Sequence, residues 1–319
     1  MNFTLGSDPE FMLIDSNGEY KSAIGIVPGR KEKKYKLDNY YFYYDNVLAE
    51  CNIIPGRSLD ESKKHIQKAL QLYSNIVAKH DVYLKLQAAQ RFKRSELKAK
   101  EASRVGCSTE KCAYSLDDVN ITSLRKKIQK GTLRTAGGHI HLGTPLGQTF
   151  LSSVALVRML DLFVGIPSLF IDHDPTSCMR RKLFGEAGRY RRPHHGIEYR
   201  SLSNFWLQSP RFVSIIYKLC EFAIRFVQNG KYSKLWQIDE ENLRTMWDRG
   251  EEDPCKYHHC VGYDINLLRE CFITGDRTKA EPLLEYILQY LPLNLTKQIE
   301  KLSSHIEEIN LHKEWKLSA

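Results

Sequence analysis

Hydrophobic and polar positions change their period near residue 210 of this chain. Before it, short runs alternate or cluster aromatic residues, as strands do; after it, apolar residues recur every three or four positions, as in helices. FMLID (11–15) and YYFYYDNVLAECN (40–52) predict strands with carboxylates at or near their ends. Ser58 opens a helix with S-L-D-E, in which Glu61 is placed to reach back to the Ser58 amide. Ile66, Leu70, Leu72, Tyr73 and Ile76 give that helix an apolar face to about Ala78. VYLKLQA predicts another strand, and FKRSELKAKEASR a basic helix. GGHIHLG reads as a strand, followed by an apolar helix from about Gly147 to Val164 that Pro167 bends or ends. GIEYRSLS reads as a last strand, and helices are expected over 210–228, 264–272, 278–291 and 295–314. The pattern predicts an α+β fold, a mixed, largely antiparallel sheet covered by helices. QNGKYSK (228–234) is the one candidate boundary, dividing 1–228 from a helical extension over 229–319.

Composition narrows this little. The 319 residues are 42% hydrophobic and 27% charged, an ordinary globular balance. The net charge of +9 suits an anionic ligand such as a nucleotide as well as a polynucleotide. Phe150–Phe170 is the most apolar run, but Arg158, Asp161 and Pro167 interrupt it, so a buried helix rather than a membrane span is expected. Asp8, Glu10 and Asp15 occupy the place of a basic signal-peptide start. With eight irregularly spaced cysteines, reduced thiols and a cytoplasmic location are expected.

Several segments carry candidate chemistry. In GSDPEF, Asp8 and Glu10 face the same way if the segment is extended, an arrangement suited to a hard cation or to a plain acidic turn. Glu50 sits among apolar residues, where a carboxylate needs a partner or a metal; Asp45 can equally belong to a turn with Asn46. His139 and His141 share a strand face behind Gly137 and Gly138, leaving metal, phosphate and water open. Residues 178–200 hold seven Lys or Arg, among them Arg180, Arg181, Arg189, Arg191, Arg192 and Arg200, around Glu198. Guanidinium forks fit phosphate oxygens, and a strand-borne glutamate in their midst favours phosphate-plus-metal chemistry over a basic loop. Cys255, His258, His259 and Cys260 in CKYHHC make an incomplete zinc pattern. Neither a Walker A motif nor G-x-G-x-x-G is present.

Taken in order, GSDPEF, DNVLAECN, GCS…AY, RTAGGHIHLG, RRKLFGEAGRYR and GIEYRSLSNFW resemble the glutamine synthetase/glutamate–cysteine ligase superfamily. They are most similar to the phage-encoded carboxylate–amine ligases of the COOH.NH2 ligase type 2 group, over about residues 5–206. The resemblance implies a glutamine-synthetase-like curved sheet over 1–228 and an ATP-dependent ligase that forms an amide or isopeptide bond through an acyl phosphate. It implies Mg²⁺, with Mn²⁺ as the alternative, held by Asp8, Glu10, Glu50, His139 and Glu198. His141 would face the nucleotide phosphates, Arg180, Arg181 and Arg200 the phosphate or acyl phosphate, and Tyr190 and Arg191 the substrate pocket. Small-molecule or peptide carboxylates and amines are the implied partners, with a glutamine amidotransferase as a further one and the host cytoplasm as the location if the chain is virus-encoded. The superfamily often has glutamate where this chain has the shorter Asp8. Cys107, in GCS, is read as part of a turn.

Three other readings make different demands. A nucleic-acid-binding protein would use Arg180–Arg200 and the basic stretch Arg91–Arg104. A guanidino-kinase-like phosphotransferase would give a phosphorylated product and no amide. A zinc hydrolase on His139 and His141 would ignore ATP.

Overall fold

The computed structural model describes residues 3–104, 110–119, 128, 130–238, 258–304 and 309–318. Cys107, Cys255 and the His258 side chain lie outside the described residues. Six strands come first: β1 (Thr4–Ser7), β2 (Glu10–Asp15), β3 (Tyr20–Lys21), β4 (Tyr35–Leu37), β5 (Tyr40–Asp45) and β6 (Leu48–Gly56). Helix α1 (Leu59–Ala78) leads to β7 (Val82–Lys85), β8 (Ala89–Arg91), β9 (Glu110–Cys112), β10 (Asp118–Val119), β11 (Leu133–Thr135) and β12 (Ile140–Gly143). Helices α2 (Phe150–Ile171) and α3 (Ser177–Arg181) precede β13 (Arg189–Arg191) and β14 (Gly196–Tyr199). Helix α4 (Pro210–Gln228), a hairpin of β15 (Trp236–Ile238) and β16 (His258–Cys260), and four more helices complete the chain: α5 (Ile265–Thr274), α6 (Arg277–Leu288), α7 (Leu293–Ser304) and α8 (Leu311–Trp315).

Among the described residues one twelve-stranded sheet runs β10-β9-β13-β14-β12-β1-β6-β2-β3, with β5 and β4 continuing from β6 and β7 pairing with β2. Its ladders are antiparallel, so the chain is an α+β protein with a large antiparallel sheet. Strand alternation sorts the side chains. Ile140, Leu142, Tyr190, Ile197 and Tyr199 are buried in the apolar core, to which the helices, including α5 to α8, contribute. His141, Arg191 and Glu198 alternate with them and take the other face. The C-terminal end is tied down where Trp315 Nε1 donates to the Leu207 carbonyl (2.7 Å).

The structure departs from the expected elements where tertiary demands intervene. Residues 40–52 form a hairpin instead of one strand, turning at Asn46, whose φ of 59° suits asparagine. Ser58 caps α1 by accepting from the Glu61 amide (3.1 Å), but Glu61 takes the Arg57 amide (2.6 Å) and not that of Ser58. The basic stretch 92–104 makes two 3-10 turns, Arg94–Leu97 and Lys100–Ser103, because only Phe92 and Ala102 are buried and no helical stripe exists to pack. Residues 295–314 divide between α7 and α8, and the β15–β16 hairpin went unforeseen.

Helix α2 outruns its expected end at Val164. A π turn over Asp161–Gly165 accommodates Pro167, which has no N–H to offer the preceding turn. The helix is long and apolar enough to cross a membrane, yet its apolar window is wholly buried inside the protein. The π turn places Asp161 under the sheet, accepting from Tyr199 Oη (2.7 Å). Arg158, one turn earlier, stacks on Tyr114 and Trp236 and donates to the Ala113 carbonyl (2.9 Å).

Burial pushes the Asp161 carboxyl up to about 7 against the pull of the Tyr199 and Tyr114 hydroxyls. An unfolded aspartate releases its proton near pH 4, so the native state loses stability as pH rises from about 4 to about 7. Asp161→Asn removes that titration and keeps an acceptor for Tyr199. Its melting temperature relative to wild type is expected to climb by on the order of 5 °C across that window. A flat difference across the window would count against a buried titrating Asp161.

Candidate active site

Pro9 breaks the first strand region in two. Lacking an N–H, it lies between β1 and β2, while its carbonyl accepts from the Cys51 amide (3.3 Å). The break sends the flanking carboxylates different ways. Asp8 Oδ1 lies 3.1 Å from both His139 Nδ1 and His141 Nε2. Glu10 opposes Glu50 across β2 and β6, and its Oε2 accepts from the Gly137 amide (2.5 Å). Opposite His141, across β12 and β14, stands Glu198.

Among the described residues two ligand groups follow, each with three donor atoms mutually within 4.8 Å: Asp8, His141 and Glu198, and Glu10, Asp45 and Glu50. The expected metal ligands are thus divided between two places. Asp8 and Glu10 belong to different groups, and His141, expected to face phosphate, completes the first group where His139 was expected. His139 lies beside it, 3.9 Å from Glu198 Oε1 and 3.3 Å from Arg200 Nη1. Asp45 joins the second group because the β5–β6 hairpin returns it beside Glu50. The two glycines serve close packing: a Cβ on Gly137 would fall 2.5 Å from His139 Nε2, and one on Gly138 2.5 Å from the Ser203 carbonyl.

The arginines divide similarly. Arg200 and Arg191 both donate to Glu198 Oε1, Arg191 at 3.1 Å. Arg200 Nε donates to Glu110 Oε1 (2.7 Å), a carboxylate from β9 that sequence reasoning passed over because its strand is three residues long. Arg180, only 2% exposed, is held by the Ser201 and Arg200 carbonyls (3.0 and 3.1 Å). Glu10, Glu110, Gly137, His139, Arg180 and Arg200 line one narrow cleft. Arg181 is not brought to it: it pairs with Asp172 (3.3 Å), which also accepts from Ser177 and Ser203. Tyr190 is also absent from the site, because it pairs with Tyr199 on the core face. A larger cleft, about 770 Å³ between β7 and residues 309–312, contains none of the expected site residues. Of the CKYHHC cluster, His259 and Cys260 are neighbours on β16, which turns their side chains to opposite faces.

The two groups differ in charge. Burial alone would raise Asp8, but His141 and His139 hold it well below the ordinary range. Burial works upward on Glu198 too, but Arg200, with His139 and Arg191 behind it, outweighs it and keeps the carboxyl low. His141 is raised against burial by Asp8 and Glu198, whereas burial and then Arg200 lower His139. In the second group burial pushes Glu10 to about 7 and raises Glu50 well above normal, with Asp8 and Glu10 adding repulsion at Glu50. The Lys31 ammonium pairs with Asp45, while Tyr43 Oη donates to Glu50 Oε1 (2.7 Å).

A divalent cation fits both groups. Among the described residues Glu50 Oε2 is buried with no hydrogen-bond partner, and His141 Nε2 stands 3.1 Å from Asp8 Oδ1. Three carboxylates form a hard oxygen set suited to Mg²⁺ or Mn²⁺; the mixed set accepts Mg²⁺, Mn²⁺ or Zn²⁺. Without metal, Glu50→Gln is expected to stabilise the protein at pH 8 by on the order of 1–2 kcal/mol, since it removes a buried, repelled charge. Millimolar Mn²⁺ should then raise the wild-type melting temperature and leave the variant nearly unmoved; equal rises in both would exclude Glu50 as a ligand.

Comparison with known proteins bears on this arrangement. No curated protein matches the chain. Residues 130–317, more than half of the chain, match the family described as phage phiEco32-like COOH.NH2 ligase-type 2. The matched stretch carries His139, His141, Arg180, Arg191, Glu198 and Arg200, while Asp8, Glu10, Asp45, Glu50 and Glu110 reach the same face from outside it. The chain thus belongs to the phage phiEco32-like COOH.NH2 ligase-type 2 family, whose name is that of a carboxylate–amine ligase.

Proposed function

We propose that this chain is an ATP-dependent carboxylate–amine ligase that works through an acyl phosphate, with a glutamine-synthetase-like sheet as its scaffold. The observation that carries the reading is the adjacency, on one face of an antiparallel sheet, of two acidic ligand groups and three arginines, Arg180, Arg191 and Arg200. Phosphoryl transfer to a weak nucleophile needs this pairing, because negative charge on both reactants must be neutralised before they meet. The buried arginines also argue against a nucleic-acid patch, since Arg180, Arg181 and Arg200 are each at most 8% exposed.

Mg²⁺ or Mn²⁺, if held by these two groups, would supply charge neutralisation for phosphoryl transfer. The chain's own residues do the rest. Asp8, His141 and Glu198 make one seat, and Glu10, Asp45 and Glu50 the other. Arg180 presents a fixed positive charge to the cleft because backbone carbonyls hold its guanidinium. Arg200 and Arg191, bonded to Glu198, stand beside the place where phosphate oxygens would arrive. An oxygen of the substrate carboxylate attacks the γ-phosphorus and the bond to ADP breaks. The amine nitrogen then attacks the acyl carbon, phosphate leaves with the carbon–oxygen bond, and the amine loses its proton to solvent.

The test is ADP release with pooled amino acids and amines, alongside calorimetry of Mg·ATP binding. We expect ADP release to require both a carboxylate and an amine. His139→Ala combined with Glu198→Ala should weaken Mg·ATP binding by about 100-fold. Nucleotide binding unchanged in that double variant would remove the site.

A further inference from the structure

We propose that Glu110 is a positioning residue that keeps the Arg200 guanidinium in the site once Glu198 is engaged elsewhere. This rests on the reading above, in which Arg200 meets transferring phosphate. Two sides of the guanidinium have different partners. Its Nε donates to Glu110 Oε1 at 2.7 Å, and its Nη1 meets Glu198 Oε1 and, at 3.3 Å, His139 Nδ1. Glu198 Oε1 also receives Arg191 Nη1 and is the oxygen that faces His139 at 3.9 Å. That oxygen is shared among cations already, and a divalent ion in the Asp8, His141 and Glu198 group would compete for it directly.

Glu110 also feels Arg189 and Arg191, but a metal ion in either group would not claim it. Among the described residues it belongs to neither ligand group, and its carboxylate is 5% exposed against 9% for the Arg200 side chain. It stands two residues before Cys112, the cross-strand partner of Arg189, so alternation puts it on the face of Arg189 and Arg191. A buried carboxylate on Nε fixes the plane of the guanidinium, and a planar fork fixed along one edge keeps its other donors aimed in one direction. When Nη1 gives up Glu198, it remains aimed into the cleft lined by Glu10, His139 and Arg180, ready for a phosphate oxygen. Arg200 therefore changes partner without changing place, and Glu110 is the hinge pin of that exchange.

The experiment measures Mg·ADP and Mg·AMPPNP affinity by calorimetry on the full chain, with turnover beside them, for wild type, Glu110→Gln and Glu110→Asp. Aspartate keeps the charge, and glutamine keeps the length and an acceptor. The proposal expects Mg·ADP affinity to hold in both variants. It expects the preference for AMPPNP over ADP to shrink by roughly tenfold in Glu110→Gln, with kcat falling by a similar factor at unchanged KM for ATP. Glu110→Asp should recover part of both, which also covers the case in which Glu110→Gln fails to fold. An unchanged preference and kcat in Glu110→Gln, or loss of Mg·ADP binding along with the preference, overturns the positioning role while leaving the ligase reading intact. A wild-type protein that binds neither nucleotide overturns both.

Discussion

Three carboxylates converge, Glu50 buried and Glu10 and Asp45 half-buried, and among the described residues the nearby ammonium is that of Lys31. Each buried, uncompensated carboxylate opposes folding by several kcal/mol. The sheet tolerates them because the opposing cost is concentrated at one place and the rest of the molecule is conventional. Backbone and hydroxyl donors, the Gly137 amide and Tyr43, absorb part of it, and Glu10 and Glu50 hold their protons longer than usual. Next to them, Asp8 and Glu198 are matched by imidazole and guanidinium. One group is thus short of positive charge and the other is supplied with it, and that asymmetry governs how every neighbouring residue is used.

Alternation along the strands is what makes the asymmetry affordable. Each strand that lends a charged residue to the site lends apolar ones to the core: Ile140 and Leu142 flank His141, and Ile197 and Tyr199 flank Glu198. The π turn of α2 then meets Tyr199 from below through Asp161. Helix, strand and site are joined by one hydroxyl, so the stiffness of the helical layer reaches the residue next to Glu198.

Local signals made much of this readable. Strand alternation put His139 and His141 on one face, and both do reach Asp8. The density of arginine around Glu198 marked a segment whose guanidiniums do meet that carboxylate. What escaped reading was set by long-range pairing. Asp8-Pro9-Glu10 has the spacing of a co-facing pair, but the missing proline N–H breaks the ladder and parts them. Asp45 reads as a turn residue but ends β5 beside the turn, and only the hairpin register reveals Glu50 beside it. Glu110 sits in too short a strand to show alternation, and Arg181 differs from Arg180 only in which way a single helical turn points it.

The ladder between β1 and β12 has one more consequence. Ser7 Oγ donates to the His139 carbonyl across 132 residues of chain, and β1 lies between β12 and β6 in the sheet. During synthesis, the acidic strands therefore emerge long before the histidines and arginines that complete their surroundings. A nascent N-terminal segment already carries Glu10, Asp45 and Glu50 on strands that pair among themselves, whereas the Asp8, His141 and Glu198 group cannot form until β12 and β14 arrive. Non-local pairing of this kind slows folding, because the intervening loop must close before any contact repays it. The late strand also acts as a safeguard, since a chain cut short before it cannot assemble the paired site.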